Sequence, residues 1–435
     1  MMQHSLRLAA CTILAVAAAF GQSDTSSNNN QRILSIRELG KRDYTVIPTI
    51  AQYLKDPDRD IRIEAVKAIV RIDTTHSLDA LVQATHDKDP EVQIRATDGI
   101  VNAYMPGYVA KTGLTGSLTR GVRQMKSFFS SRNDQTVDPD VTIRADVAQA
   151  LGDEARHGAS LDARANAALA AGILRARPAV PDLVQASHST DNELIFECLV
   201  ALQKIHDLSA GPGISFLAHD LDERIQAIAL ETIGVLHSLQ SAPDVRSALK
   251  NARSTRIRRA ALEALAMLAI PEDRAIFQQY GKDSDAELKA SALEGLGRIR
   301  EPEDYPSIEA AYNEQNADWR VHLAAAFALV AEGKVDTSEF SPLPYLVENL
   351  NTKGRAYVAN AYLVELARRE AVRVSLAKLL PEATKDQKIA LCSILGISHA
   401  EDAIPVLNGL AKDLDPDVAF AASRALRILE ARRPS

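Results

Sequence analysis

The feature that most constrains this chain is a short helical hairpin that recurs along most of its length. The clearest copy is Ala403–Leu429. Its first half places apolar residues at helical spacing, Asp415-Pro416 interrupts the chain, and a second apolar stripe follows. Aspartate is a favoured N-cap and proline a favoured first helical residue, so this pair predicts where the second helix begins. One hairpin cannot bury its own apolar face, so copies must stack.

A small residue inside each second helix gives the period of the repeat. Counted back from Ala422 to Ala167, equivalent positions recur at steps of 30 to 36 residues, half of them 31. Small side chains at such positions let neighbouring helices approach to roughly 8–10 Å. The pattern predicts an all-α fold, an α-solenoid of about twelve helical hairpins. The full series is Ala65, Ala96, Ala145, Ala167, Cys198, Ala229, Ala261, Ala292, Ala325, Ala361, Leu391 and Ala422.

The turns between the paired helices carry a family resemblance. Four stretches combine an Asp-Pro step with a following apolar or basic residue: Asp56-Pro57-Asp58, Asp89-Pro90-Glu91-Val92, Asp138-Pro139-Asp140-Val141 and Asp415-Pro416-Asp417-Val418. They resemble the HEAT repeat, an armadillo-type repeat, and most closely the short bacterial variety also seen in phycobilin-lyase-like proteins. The resemblance covers about residues 31–430 and implies a helical solenoid over 31–435. It implies no particular function, because function does not follow from fold.

The N-terminus has the features of a secretory signal peptide over residues 1–21. His4 and Arg7 precede an apolar run, Leu8–Phe20. This run is shorter than the ~20 residues that span a bilayer. Residues 22–30 are polar and are predicted to be a disordered linker. We therefore expect an exported protein of the periplasm or cell envelope with no membrane span after signal cleavage. An uncleaved membrane anchor is the alternative.

One stretch, residues 104–138, interrupts the period. Insertions into repeat arrays commonly form binding surfaces, and this one combines aromatic with basic residues. Such residues could bind a partner peptide or an anionic envelope component. The alternative is a loop that covers a repeat junction. The candidate partner-binding residues are Tyr108, Lys111, Arg120, Arg123, Lys126 and Phe129.

Composition and motifs argue against several other functions. The formal net charge is −7, whereas nucleic-acid binding calls for a basic face. Neither a phosphate-binding glycine loop nor a nucleophile motif occurs. HEAT-repeat hydroxylases that bind iron use His-Glu dipeptides, and this chain has only His-Asp pairs, at His86, His206 and His219. We therefore expect no cofactor and no metal site. Cys198 and Cys392 are expected to be buried, inert thiols.

These features predict a non-enzymatic scaffold that binds a protein or peptide through the concave surface of the solenoid and the insertion. Two alternatives stay open. One is a HEAT-like enzyme of oxidoreductase or lyase type, and the other is a purely structural spacer.

Overall fold

A computed structural model describes residues 28–109, 135–398 and 401–431. The chain divides into two compact units. Unit 1 contains the described residues before Asp138 together with Ile143–Ile205, and unit 2 contains Asp138–Thr142 and the described residues from His206 onward. Both units consist of α-helices and short 3₁₀ turns, and no β-strand occurs in the three described ranges.

Unit 1 begins with one helix, α1, and continues as helical hairpins. In each hairpin the first helix has an even number and the second helix has an odd number. The helices are α1 (28–39), α2 (Ile47–Ala51), α3 (Arg59–Ile72), α4 (Leu78–Thr85), α5 (Pro90–Tyr104), α6 (Ala145–His157), α7 (Leu161–Ile173), α8 (Val180–Ala186) and α9 (Asn192–Ile205).

Unit 2 continues the same alternation of first and second helices. Its helices are α10 (Gly211–Ile214), α11 (Glu223–Val235), α12 (Ala242–Lys250), α13 (Thr255–Leu268), α14 (Arg274–Tyr280), α15 (Ala286–Ile299), α16 (Tyr305–Tyr312), α17 (Trp319–Glu332), α18 (Pro342–Glu348), α19 (Ala356–Leu366), α20 (Glu370–Leu379), α21 (Lys385–Ile397), α22 (Ile404–Leu410) and α23 (Pro416–Glu430).

Within each unit the second helices pack side by side. In unit 1, α5 lies between α3 and α7, and in unit 2, α13 lies between α11 and α15. Second helices such as α5, α7 and α13 also pack on the first helix of their own hairpin. The predicted all-α solenoid of stacked hairpins is therefore confirmed in each unit. That the repeats form one continuous solenoid over residues 31–435 stays a prediction.

Aspartate side chains explain where many second helices begin. In α5, the Asp89 carboxylate accepts hydrogen bonds from two backbone N–H groups of the first turn, and Pro90 is the first helical residue. Asp415 caps α23, which starts at Pro416. These caps satisfy N–H groups that have no partner within the helix. Both Asp-Pro boundaries are confirmed, whereas the cap of α3 is Asp58, two residues after the first aspartate of its motif.

The small residues that define the period lie where second helices touch. Ala229, Ala261 and Ala292 have no exposed surface. One glycine allows an even closer approach, because a Cβ added at Gly297 of α15 would lie 2.5 Å from the Cα of Ala328 in α17. Small side chains at these contacts therefore set the distance between neighbouring helices.

Two members of the predicted series are wrong. Ala145 is the exposed first residue of α6, a first helix, because the preceding Asp138–Val141 segment is non-helical instead of opening a second helix. Within unit 2, the carboxylate of Asp138 forms an ion pair with Arg424 of α23. In α19, Ala361 is exposed, and the buried small residue is Ala359.

The two successive repeats that contain α17 and α19 depart from the regular pattern. Leu323–Ala331 of α17 is buried along its whole length. Tyr362 of α19 stacks on Phe327 of α17 with ring centroids 4.7 Å apart. Glu365 of α19 reaches past α17 to form an ion pair with Arg298 of α15. The irregular packing coincides with the 36-residue step in the sequence period, from Ala325 to the expected position at residue 361.

Candidate functional site

Three glutamates occupy the same repeat position on neighbouring second helices of unit 2. Glu231 on α11, Glu263 on α13 and Glu294 on α15 each follow the buried alanine of their helix by two residues, within an Ala-Leu-Glu sequence. Because α11, α13 and α15 pack side by side, the three side chains form a row across the helices. We call these three residues the glutamate row.

An open groove lies against the first two glutamates of the row, with a volume of about 480 Å³. Alanine side chains leave room between charged ones, so the groove is an indentation in the helix surface rather than an enclosed cavity. Its lining residues are Ala227, Glu231, Thr255, Arg256, Arg259, Ala260, Glu263 and Glu287.

The third glutamate of the row already has a cation from its own chain. Arg298 Nη1 donates to Glu294 Oε2 at 3.0 Å, and Arg298 Nη2 donates to Glu365 Oε2 at 2.9 Å. The guanidinium also lies 4.8 Å from the ring centroid of Phe327, a favourable cation–π distance. The Tyr362 hydroxyl donates to the other oxygen of Glu294. Glu294 is therefore paired and hydrogen-bonded.

Neither Glu231 nor Glu263 forms an ion pair in the described part of the chain. The surrounding protein displaces water from Glu263, and Glu294 and Glu231 repel its charge; together these effects raise the pKa of Glu263 to about 8. Removal from water also raises the pKa of Glu231. The Glu263 side chain is still exposed to solvent. A positively charged ligand would therefore stabilise the ionised form of both carboxylates.

The two arginines that line the groove differ in their pairing. Arg259 donates to Asp285 at 2.6 Å and to Glu287 at 2.6 Å, so its charge is engaged with the next repeat. Arg256 forms no ion pair within the described ranges and lies about two helical turns from Glu263. The groove thus combines an acidic centre with one basic end.

The predicted binding residues of the insertion are mostly outside the described residues. Tyr108 is described, and its side chain is only 9% exposed, which leaves little surface for a partner. Lys111, Arg120, Arg123, Lys126 and Phe129 lie outside the described residues, and their role stays a prediction.

Sequence reasoning missed the glutamate row, although the sequence carries a signal for it. The Ala-Leu-Glu triplet begins at each of the small residues that define the period, Ala229, Ala261 and Ala292. Three successive repeats with the same charged residue at one position indicate a row of like charge on one surface. That signal was available without the structure.

Neither a metal centre nor a membrane segment is evident in the described ranges. No three histidine, cysteine, aspartate or glutamate side chains converge there in a way that could hold a metal ion. No described helix has the length and apolar character needed to cross a bilayer. Cys198 and Cys392 are both free and fully buried, as expected.

Comparison with known families identifies the class of repeat. Residues 6–100 match the family model described as HEAT repeats. The resemblance to HEAT repeats is confirmed over these residues, which include the Asp56-Pro57 and Asp89-Pro90 turns. No curated protein matches the sequence.

Three solved structures are similar to this chain at low sequence identity. The CpcE–CpcF complex of phycocyanin lyase from Nostoc sp. PCC7120 is 17% identical over 74% of this chain and 94% of that one, with a TM-score of 0.30. Importin beta is 13% identical over 99% and 66%, with a TM-score of 0.38. Human deoxyhypusine hydroxylase is 19% identical over 66% and 96%, with a TM-score of 0.25. At these TM-scores the likenesses assign no function.

Proposed function

We propose that this chain is a non-catalytic scaffold that binds a segment of another protein on the second-helix surface of unit 2. The observation that carries the proposal is the groove, an indentation lined by charged side chains of which Glu231 and Glu263 form no ion pair in the described residues, although Arg298 attracts the charge of Glu263. Charges elsewhere on unit 2 are commonly paired between repeats. Arg246 donates to Asp273 at 2.6 Å, for example. Unpaired charges in an indentation are typical of a surface that a ligand completes.

Binding fits the groove better than catalysis does. Its lining is carboxylates, guanidinium groups, alanine and one threonine, without serine, cysteine or histidine. Nucleophilic catalysis requires a nucleophile beside a base. The groove instead offers area and charge, which are the properties of a recognition surface.

Export is part of the proposal and rests on the sequence of residues 1–21. A signal peptide would place the scaffold in the periplasm or cell envelope, with the insertion at 104–138 as a second contact surface. The N-terminus of the mature protein tests this part. A protein from the envelope fraction that begins near Gln22 supports export, and an intact N-terminus on a cytosolic protein contradicts it.

Site-specific photo-crosslinking tests the binding surface. A photoreactive amino acid at Ala260 would lie in the groove, and the matched control at Ala275 would lie on the exposed surface of first helix α14. We expect a discrete adduct with another protein from the source cells at position 260 and none at position 275. Ala260→Trp should abolish an adduct formed from a neighbouring groove position, Ala227, whereas Ala275→Trp should not. Equal adducts at 260 and 275, or none at either, would refute the proposal.

A further inference from the structure

The glutamate row contains one position that the protein fills by itself and two that it leaves open. At Glu294, the Arg298 guanidinium lies against the carboxylate, with Phe327 beneath it. Arg298 is four residues after its glutamate, one helical turn further along α15. The structure therefore shows what a basic side chain does when it occupies a position in this row.

The equivalent neighbours of the other two glutamates are apolar. Met267 follows Glu263 by four residues on α13, and Val235 follows Glu231 by four residues on α11. Both side chains are half-buried. A lysine or arginine from outside would find a carboxylate for its charge and an apolar wall for its aliphatic stem, the arrangement that long basic side chains favour. Neither position supplies the cation from within.

The distance between these positions restricts the shape of the occupant. Neighbouring packed helices lie roughly 8–10 Å apart, which separates Glu231 from Glu263 by about the same distance along the row. A polyproline II segment has 3 residues per turn and a rise of about 3.1 Å per residue, so residues three apart share one side at about 9 Å. In a β-strand, residues two or four apart share a side at about 7 or 13 Å. The polyproline II spacing matches the helix spacing best.

We infer that the partner is an extended basic segment of another protein, whose lysine or arginine side chains, three residues apart, pair with Glu231 and Glu263. This inference rests on the proposed function and specifies the chemistry of its ligand. Charge complementarity argues for this occupant, because an acidic segment would add to the repulsion within the row. Arg256 at the end of the groove would then contact an acidic residue or the C-terminal side of the segment.

A synthetic peptide tests the inference directly. The probe is a fluorescein-labelled peptide of repeated Lys-Pro-Ala triplets, which favours polyproline II. One control peptide carries glutamate in place of lysine, and another has the same composition with its lysines in one block. Fluorescence anisotropy at pH 8.5 measures affinity for the full chain. We expect the triplet peptide to bind most tightly, and its affinity to fall as salt screens the charges.

Matched charge-reversal variants locate the binding site. Glu231→Lys/Glu263→Lys reverses the two open positions, and Glu272→Lys/Glu303→Lys makes the same change of charge on exposed residues just before the first helices α14 and α16. We expect at least about tenfold weaker binding in the first variant, on the order of 1.4 kcal/mol, and little change in the second. Circular dichroism and thermal unfolding check that both variants fold.

Several results would overturn the inference. They are an absence of peptide binding, tighter binding of the glutamate peptide, equal loss in the two double variants, and equal affinity of the blocked-lysine peptide. Self-association of the wild-type chain that Glu231→Lys/Glu263→Lys abolishes would identify a second copy as the occupant instead. If the peptide fails to bind while position 260 still crosslinks, the inference is wrong and the proposed function stands. If position 260 also fails to crosslink, both are wrong.

Discussion

Glu154 in unit 1 and Glu263 in unit 2 carry the same electrostatic signature in different surroundings. The pKa of each is raised to about 8, mainly by removal from water. Glu154 lies on α6 with 1% of its surface exposed, and Glu263 is exposed in an open groove. Thr97 Oγ1 donates to Glu154 Oε2 at 2.6 Å, while Oε1 has no partner among the described residues.

This difference shows that a raised pKa does not by itself mark a binding site. A ligand cannot reach Glu154, so its shifted pKa is a cost that folding bears. Glu263 is exposed and can lose its proton when a cation approaches. Its raised pKa therefore makes its charge respond to a bound partner. Accessibility, more than the size of the shift, distinguishes a strained core residue from a recognition residue.

The largest expected effect is on stability through Glu154. Its folded pKa lies above the usual 4.5 of glutamate, so the folded state keeps a proton that the unfolded state loses. The stability from this group is therefore complete below pH 4.5 and declines as the pH rises toward 8. Glu154→Gln removes the titration, and we expect it to raise the free energy of unfolding at pH 7.5 on the order of 3 kcal/mol. Denaturant unfolding across pH 4.5–8.5 measures the effect.

Glu263→Gln is the matched control for that experiment. Because Glu263 is exposed to solvent, which screens its charge, we expect Glu263→Gln to raise the free energy of unfolding at pH 7.5 by clearly less than Glu154→Gln does. A stabilisation equal to that of Glu154→Gln would show that the groove is a strained core and would break the comparison.

The next effect in size concerns Arg298, the cation that the chain places in its own glutamate row. The carboxylates of Glu294 and Glu365 raise the pKa of Arg298 despite its removal from water. Arg298→Gln would leave both carboxylates without this partner and should destabilise unit 2 by about 2 kcal/mol. Arg256→Gln, at the unpaired end of the groove, should cost less than about 0.5 kcal/mol. Thermal unfolding of both variants at pH 8 measures these losses. A larger loss in Arg298→Gln indicates that Arg298 stabilises unit 2 through its ion pairs, whereas an equal loss indicates that it does not.

Peptide binding should depend on pH through Glu263. Its carboxylate faces Glu231 of α11 and Glu294, Arg298 and Glu287 of α15. Binding of a lysine peptide requires the ionised form, so affinity should rise from pH 7 to pH 9, by at most about tenfold, while lysine stays protonated. Anisotropy titrations with the Lys-Pro-Ala peptide measure this change. A flat profile in wild type, or an unchanged rise in Glu263→Gln, would show that another group controls binding.

Local chemistry made most of the fold predictable from sequence. An aspartate N-cap followed by an apolar stripe identifies a helix start wherever both occur, as at Asp89 and Asp415. The helix start predicted at Asp138-Pro139 is wrong, because an Asp-Pro step also suits a non-helical turn. The next helix begins only at Ala145. The irregular packing of α19 includes contacts with α15, which is remote in sequence.

The candidate site was less predictable, because pairing decides which charges are available. Nothing near Glu294 in sequence distinguishes it from Glu263 except Arg298, which stands where Glu263 has Met267. Glu365 also pairs with Arg298, although the two residues are 67 positions apart in sequence. This ion pair follows only from the packing of α19. The insertion is basic and aromatic in composition, yet Tyr108, one of its described aromatic residues, is buried.

The smallest expected effect compares two neutral hydroxyl donors, Tyr362 at Glu294 and Thr97 at Glu154. Tyr362→Phe leaves Glu294 paired with Arg298, so we expect a loss of about 1 kcal/mol, the net value of one hydrogen bond. Thr97→Val leaves a buried carboxyl group with neither oxygen satisfied by a side chain, so its loss should be larger. Denaturant unfolding at pH 7 measures both. An equal or larger loss in Tyr362→Phe would mean that the hydroxyl, and not Arg298, holds Glu294 in the row.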